Sequence, residues 1–113
     1  MKTPIVRAAA AGARCAPCRE GGPSLSFERS CALLTKLDGW SLNEKGRLEK
    51  SWRFPDFRAA LAFVVRVGAL AEEEGHHPDV RLSWGKVALE LWTHKAGGLT
   101  ENDFLLASKV DRL

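Results

Sequence analysis

The segment FPDFRAALAFVVRVGALAEEEGHHP, residues 54–78, limits the fold more than any other part of the chain. Phe57, Leu61, Val64 and Val65 fall at i, i+4, i+7 and i+8, one face of an α-helix, and Ala60, Phe63 and Val67 widen that stripe. Pro55 is placed at the first helical position, where its missing N–H costs nothing. Gly75 reads as the C-terminal stop, and Pro78 prevents the helix from resuming. The spacing predicts a well-buried helix running to about Glu74. A helix this apolar needs an apolar surface to lie on, and the flanking segments must supply it.

Both flanks read as β-hairpins. In WSLNEKGRLEKSWRF, Leu48, Trp52 and Phe54 fall on one side of an alternating run and Glu49, Ser51 and Arg53 on the other, with Gly46 free to take positive φ in the turn NEKG. In VRLSWGKVALELWTH the turn falls at Trp84-Gly85, and Val87, Leu89 and Leu91 alternate with Ala88, Glu90 and Trp92. A first helix is capped by Ser24 or Ser26, carries Phe27, Cys31, Leu34 and Leu37 on its apolar face and stops at Gly39. A last helix opens at Thr100, with Asp103 in the capping-box position and Phe104, Leu105, Leu106 and Ala107 as its apolar side. The order αββαββα implies an α+β two-layer sandwich: a four-stranded, mainly antiparallel sheet with three helices on one face. Its uncovered face and edges call for a partner or for charged side chains.

At 113 residues the chain supports one domain with one core. The longest apolar run, Ala59–Val65, is far too short to span a bilayer. The net charge of +3 is concentrated at one end: residues 1–22 hold four of the 17 basic side chains and one of the 14 acidic ones, and the remaining 91 residues are neutral. A neutral body argues against nucleic-acid binding, which needs clustered basic residues. Residues 1–22 form a basic Ala/Gly-rich tail, expected to be flexible, and residues 23–113 form the domain. Three cysteines, an odd count, without a secretory h-region, point to a reducing cytoplasm. Cys15 and Cys18 in CAPC have redox or zinc spacing but no preceding strand and no nearby second pair, and read as free thiols.

Two of the three histidines, His76 and His77, sit side by side where the long helix ends. The last turn's unpaired carbonyls, with Glu72, Glu73 and Glu74, surround them with negative charge, a setting suited to groups that take up and return protons. His94 follows the last strand and Asp103 opens the last helix, so the sandwich can bring them to the same rim. Adjacent histidines followed by proline are hard to aim at one ion, and no H-x-H or H-x₃-H pair exists; acid–base chemistry without a metal fits better. Taken singly, each group also has a plain role: a helix-terminal histidine as a cap, Asp103 as a capping acid, and Trp52, Trp84 and Trp92 as core or sheet-surface aromatics.

These residues together resemble the pterin-4a-carbinolamine dehydratase family (4a-hydroxytetrahydrobiopterin dehydratase). The pattern is Glu72-x₃-His76-His77-Pro78, then Lys86-Val87, Thr93-His94, and Gly98-Leu99-Thr100-x-x-Asp103, and the likeness extends from about residue 24 to 110. The resemblance implies loss of water from a 4a-hydroxytetrahydropterin to give the quinonoid dihydropterin, which recycles the pterin cofactor of aromatic amino acid hydroxylases. It implies no metal or organic cofactor, the αββαββα fold, and a homodimer or homotetramer. By resemblance His76 and His94 are the acid and base, His77 positions the ring, and Glu72 and Asp103 orient the histidines or hold the pterin. Two positions depart from the pattern: Gly75 replaces a common Asp or Asn, and Val80 replaces a common aromatic, thinning the expected aromatic wall. The alternatives are a non-catalytic pterin-binding or protein-dimerisation module, as in the animal family's second role with a homeodomain transcription factor, and a pterin enzyme of molybdopterin or folate-linked metabolism.

Overall fold

The computed structural model describes residues 24–113. The expectations for the basic tail and for Cys15 and Cys18 lie outside the described residues. The elements run α1 (Phe27–Leu34), β1 (Ser41–Leu42), β2 (Leu48–Arg53), α2 (Phe57–Glu74), β3 (Asp79–Ser83), β4 (Lys86–Leu91) and α3 (Glu101–Val110). The αββαββα order is therefore as read from the sequence. The four strands form one antiparallel sheet in the order β1-β2-β4-β3. Each hairpin contributes one central strand, and β2 joins β4 from Leu48↔Leu91 to Arg53↔Lys86.

The helices cover one face of this sheet. The period-2 alternation presents Leu48 and Trp52 of β2 and Val87, Leu89 and Leu91 of β4 to Ala60, Phe63 and Val67 of α2 and to Phe104, Leu106, Ala107 and Val110 of α3. A Leu or Val side chain buried this fully stabilises by about 1.5–3 kcal/mol. Trp40, Trp52, Phe63 and Phe54 make consecutive edge-on and tilted ring contacts at 4.9–5.7 Å, tying the α1–β1 connection to α2 through the sheet.

Three expectations are corrected in detail, and one buried ion pair is new. Pro55 precedes the helix rather than starting it: Asp56 is the N-cap, its carboxylate accepting from the Ala59 N–H. The face of α2 turned to the core is Ala60-Phe63-Val67-Ala71, whereas Phe57, Leu61 and Val65 remain 44%, 43% and 63% exposed. Small residues at 60 and 71 allow the helix to approach the sheet closely, which large side chains at 57, 61 and 65 would prevent. Helix α1 ends at Leu34, with Ser26 as its cap, and buries Ser30 and Leu33, leaving Phe27 exposed. Last, the buried alternation of β2 continues through Lys50, whose ammonium donates to Asp111 Oδ1 and to the Asp38 carbonyl at 2.8 Å each. Asp111 also accepts from the Trp40 indole at 3.0 Å. Burial raises the Asp111 carboxyl above its ordinary value, against the opposing pull of Lys50 and Trp40.

Candidate active site

The long helix ends as its sequence predicts. Gly75 takes a left-handed conformation, φ +68°, and its N–H and that of His76 both close on the Ala71 carbonyl. The chain then passes through Pro78 into β3, which begins at Asp79, and the two adjacent imidazoles part on the way. His76 turns inward and is buried, and His77 turns out to pair with Glu72 at 2.6 Å on the exposed helix end. The adjacent histidines thus serve two different environments.

A second segment meets this corner. After β4 the chain makes a 3₁₀ turn at His94–Ala96, Gly97 reverses it at φ +69°, and Thr93 bridges back to Gly98. This return sets Thr93 beside Thr100, with their hydroxyls 2.9 Å apart. Thr100 caps α3 through a capping box completed by the Asp103 carboxylate, with Asp in place of the usual Glu or Gln. Asp103 is fully buried. Its Oδ2 accepts from Thr93 Oγ1 at 2.8 Å and from the Thr100 N–H at 2.9 Å, and its Oδ1 lies 2.6 Å from His76 Nε2. A carboxylate only accepts, so Nε2 carries the proton and Nδ1 is the nitrogen left to act elsewhere.

His94, which is exposed, lies stacked on Trp92 with ring centroids 3.9 Å apart and planes 20° apart. His76, His77, His94, Trp92, Thr93, Gly75 and Lys95 line one open cleft of about 480 Å³, within the size range of small-molecule sites. All three sequence-predicted histidines therefore come together. Glu72 and Asp103 do not line the cleft; each meets it through the histidine it holds, His77 and His76 respectively. Among the described residues no three His, Cys, Asp or Glu side chains are grouped as metal ligands.

The sequence assigned no site role to Thr93, Trp92 or Lys95. Hydroxyl contacts seven and ten residues away gave Thr93 no periodic signal, and an aromatic in strand alternation reads as sheet packing. The expected wall at position 80 is corrected: Val80 lies on the edge strand β3 and lines a separate cavity with Asn43, Arg81 and Glu90, and the cleft's aromatic ring is Trp92. Lys86 starts β4, at the opposite end of the strand from His94.

Fold and site together define an αββαββα sandwich with a histidine cleft at one end of its sheet. Residues 23–113 match the model of the pterin 4 alpha carbinolamine dehydratase family, and the chain belongs to that family. It is similar to a protein of Rickettsia bellii (48% identity, covering 88% of this chain and 89% of the relative) and to one of Rubrobacter xylanophilus (50% identity, covering 88% and 92%). Both are named provisionally as pterin-4-alpha-carbinolamine dehydratases. Among solved structures it is similar to a transcriptional coactivator/pterin dehydratase from Brucella melitensis, with a TM-score of 0.75 and 30% identity over 79% of this chain and 96% of that one. It is also similar to a pterin dehydratase-like protein described as a RuBisCO assembly factor in the alpha-carboxysome, with a TM-score of 0.57 and 26% identity over 66% and 87%.

Proposed function

We propose that the cleft removes water from 4a-hydroxytetrahydrobiopterin, or a close relative, to give the quinonoid dihydropterin, and so recycles the cofactor of aromatic amino acid hydroxylases. The observation that carries this reading is the buried Asp103 carboxylate fixing His76 at the wall of a cleft that two further imidazoles also line. The 4a-hydroxyl leaves as water after taking a proton, the C4a–O bond breaks, and loss of the N5 proton forms the C4a=N5 bond. One acid and one base balance the step. His76, through Nδ1, and His94 fill these roles from the two segments that meet at the cleft. His77 holds the pterin ring, with Glu72 orienting it. Asp103 holds the His76 tautomer, as buried carboxylates do for working imidazoles. The same histidine set needs no metal or organic cofactor.

A homodimer or homotetramer is part of this reading. The exposed Phe57, Leu61 and Val65 form one apolar stripe along α2, and β1 and β3 are free sheet edges within the described chain. No helix among the described residues is long and apolar enough to cross a membrane. A cytoplasmic location, read from the odd cysteine count, belongs to the same proposal. The competing reading is a non-catalytic pterin-binding or dimerisation module, favoured by the similarity to a protein described as an assembly factor.

The deciding experiment follows decay of enzymatically generated 4a-hydroxytetrahydropterin in EDTA, with the wild type, His76→Ala and His94→Ala. Acceleration by the wild type that is lost in both variants is the expected result. Decay at the spontaneous rate with tight binding of a reduced pterin would establish the binding module instead.

A further inference from the structure

We infer that Trp92, braced on its far side by Arg47, is the positioning residue for His94. This rests on the dehydratase reading only in its kinetic consequences. His94 is exposed, and among the described residues its ring has no hydrogen-bond partner; the Trp92 stack is what fixes its plane. An imidazole on a surface turn otherwise samples several rotamers, and a misplaced acid–base group loses much of its effect.

Trp92 is itself held. Arg47 is its neighbour across the β2–β4 ladder, one step beyond the Leu48↔Leu91 pair. The Arg47 guanidinium carbon lies 3.7 Å from the Trp92 ring centroid. Two groups less than 4 Å from the centre of one ring do not fit on the same face, so Arg47 and His94 sandwich the indole. Arg47 is anchored in turn by Glu90, at 3.5 Å, and its backbone N–H donates to Asn43 Oδ1. Asn43 Nδ2 donates to both Glu90 and Glu49. The turn of the first hairpin therefore reaches His94 through Glu90, Arg47 and the indole, a stack of cation, aromatic ring and imidazole that attracts at both faces. The Trp92 indole N–H is buried with no partner among the described residues, so the ring makes its contacts with His94 and Arg47 through its faces and not through its donor.

The test compares Trp92→Leu, Trp92→Phe and Arg47→Met with the wild type, by kinetics and by NMR of the His94 ring protons. In the wild type the stack shifts these resonances upfield. Trp92→Leu keeps apolar bulk without a ring: the upfield shift disappears and kcat falls about tenfold, a cost of about 1.4 kcal/mol. Trp92→Phe restores the shift and most of the rate. Arg47 does not line the cleft, so Arg47→Met lowers kcat severalfold with KM unchanged and weakens the shift. In a His94→Ala background Trp92→Leu has no further effect. A raised KM at constant kcat in Trp92→Leu would make Trp92 a wall of the binding site and overturn the inference. Unshifted His94 resonances in the wild type would overturn it whether or not the protein proves to be a dehydratase.

Discussion

Replacing Asp103 by Asn tests the site's electrostatics with almost no change of shape. The carboxylate has three partners: His76 Nε2 on Oδ1, and Thr93 Oγ1 and the Thr100 N–H on Oδ2. An amide has one acceptor and one donor end, so it has two ways to lie. With its oxygen toward His76, the NH₂ faces the Thr100 N–H, and a backbone donor is left unpaired at a cost of about 1–3 kcal/mol. With its oxygen toward Thr93 and Thr100, the NH₂ faces His76 Nε2, and the imidazole satisfies it by moving its own proton to Nδ1. The second arrangement leaves nothing unpaired and wins. The fold then loses little, within about 1 kcal/mol, while the nitrogen available to the pterin changes from acceptor to donor. The expected outcome is a fall in kcat of about a hundredfold, equivalent to about 2.7 kcal/mol, with a nearly unchanged melting temperature. NMR of the His76 ring nitrogens would show the proton moved from Nε2 to Nδ1. A variant within threefold of wild-type activity, or one with the proton still on Nε2, would refute the argument.

Two further substitutions probe the scaffold. Lys50→Met removes the cation from the buried Asp111 pair and should destabilise by about 3–5 kcal/mol near neutral pH. Because the folded-state value of Asp111 is raised, chiefly by burial, its contribution to stability is present below the ordinary carboxylate range and is lost as pH climbs through the raised value. Without Lys50 that value rises further, so denaturant unfolding should show a larger deficit at about pH 8 than at about pH 5, and an equal deficit at both would contradict the assignment. Gly75→Ala meets open space but forces a left-handed conformation, φ +68°, on a Cβ-bearing residue. A loss of about 1–2 kcal/mol is expected from thermal melts, with Gly75→Asn costing less, and equal losses for the two would show that the backbone conformation is not the cause.

The parts legible in the sequence are those written in short periods. Alternation marked both hairpins, Gly46 and Gly75 marked the turns where φ is positive, and Thr100 with Asp103 marked the start of α3. His76, His77 and His94 stood out because histidine at a helix end and at a strand end is chemically suggestive. Helix α2 shows where this fails. It is apolar on more than one side, and its period alone chose the stripe through Phe57, Leu61 and Val65, which the folded chain leaves exposed. Lys50 was missed for a related reason: its place in the alternation was right for burial, but its charge argued otherwise.

By itself, then, the sequence determined the element order, the turns, the caps and the set of histidines, because backbone propensity and amphipathic period act over a few residues. Only the tertiary structure decided which side of α2 meets the sheet, that Asp103 fixes His76 across 27 residues, that Asp111 neutralises Lys50 across 61, and that Arg47 and His94 share one indole. Those pairings depend on the register of β2 against β4 and on the close approach that small residues permit, and no local pattern carries the sequence-distant half of a contact.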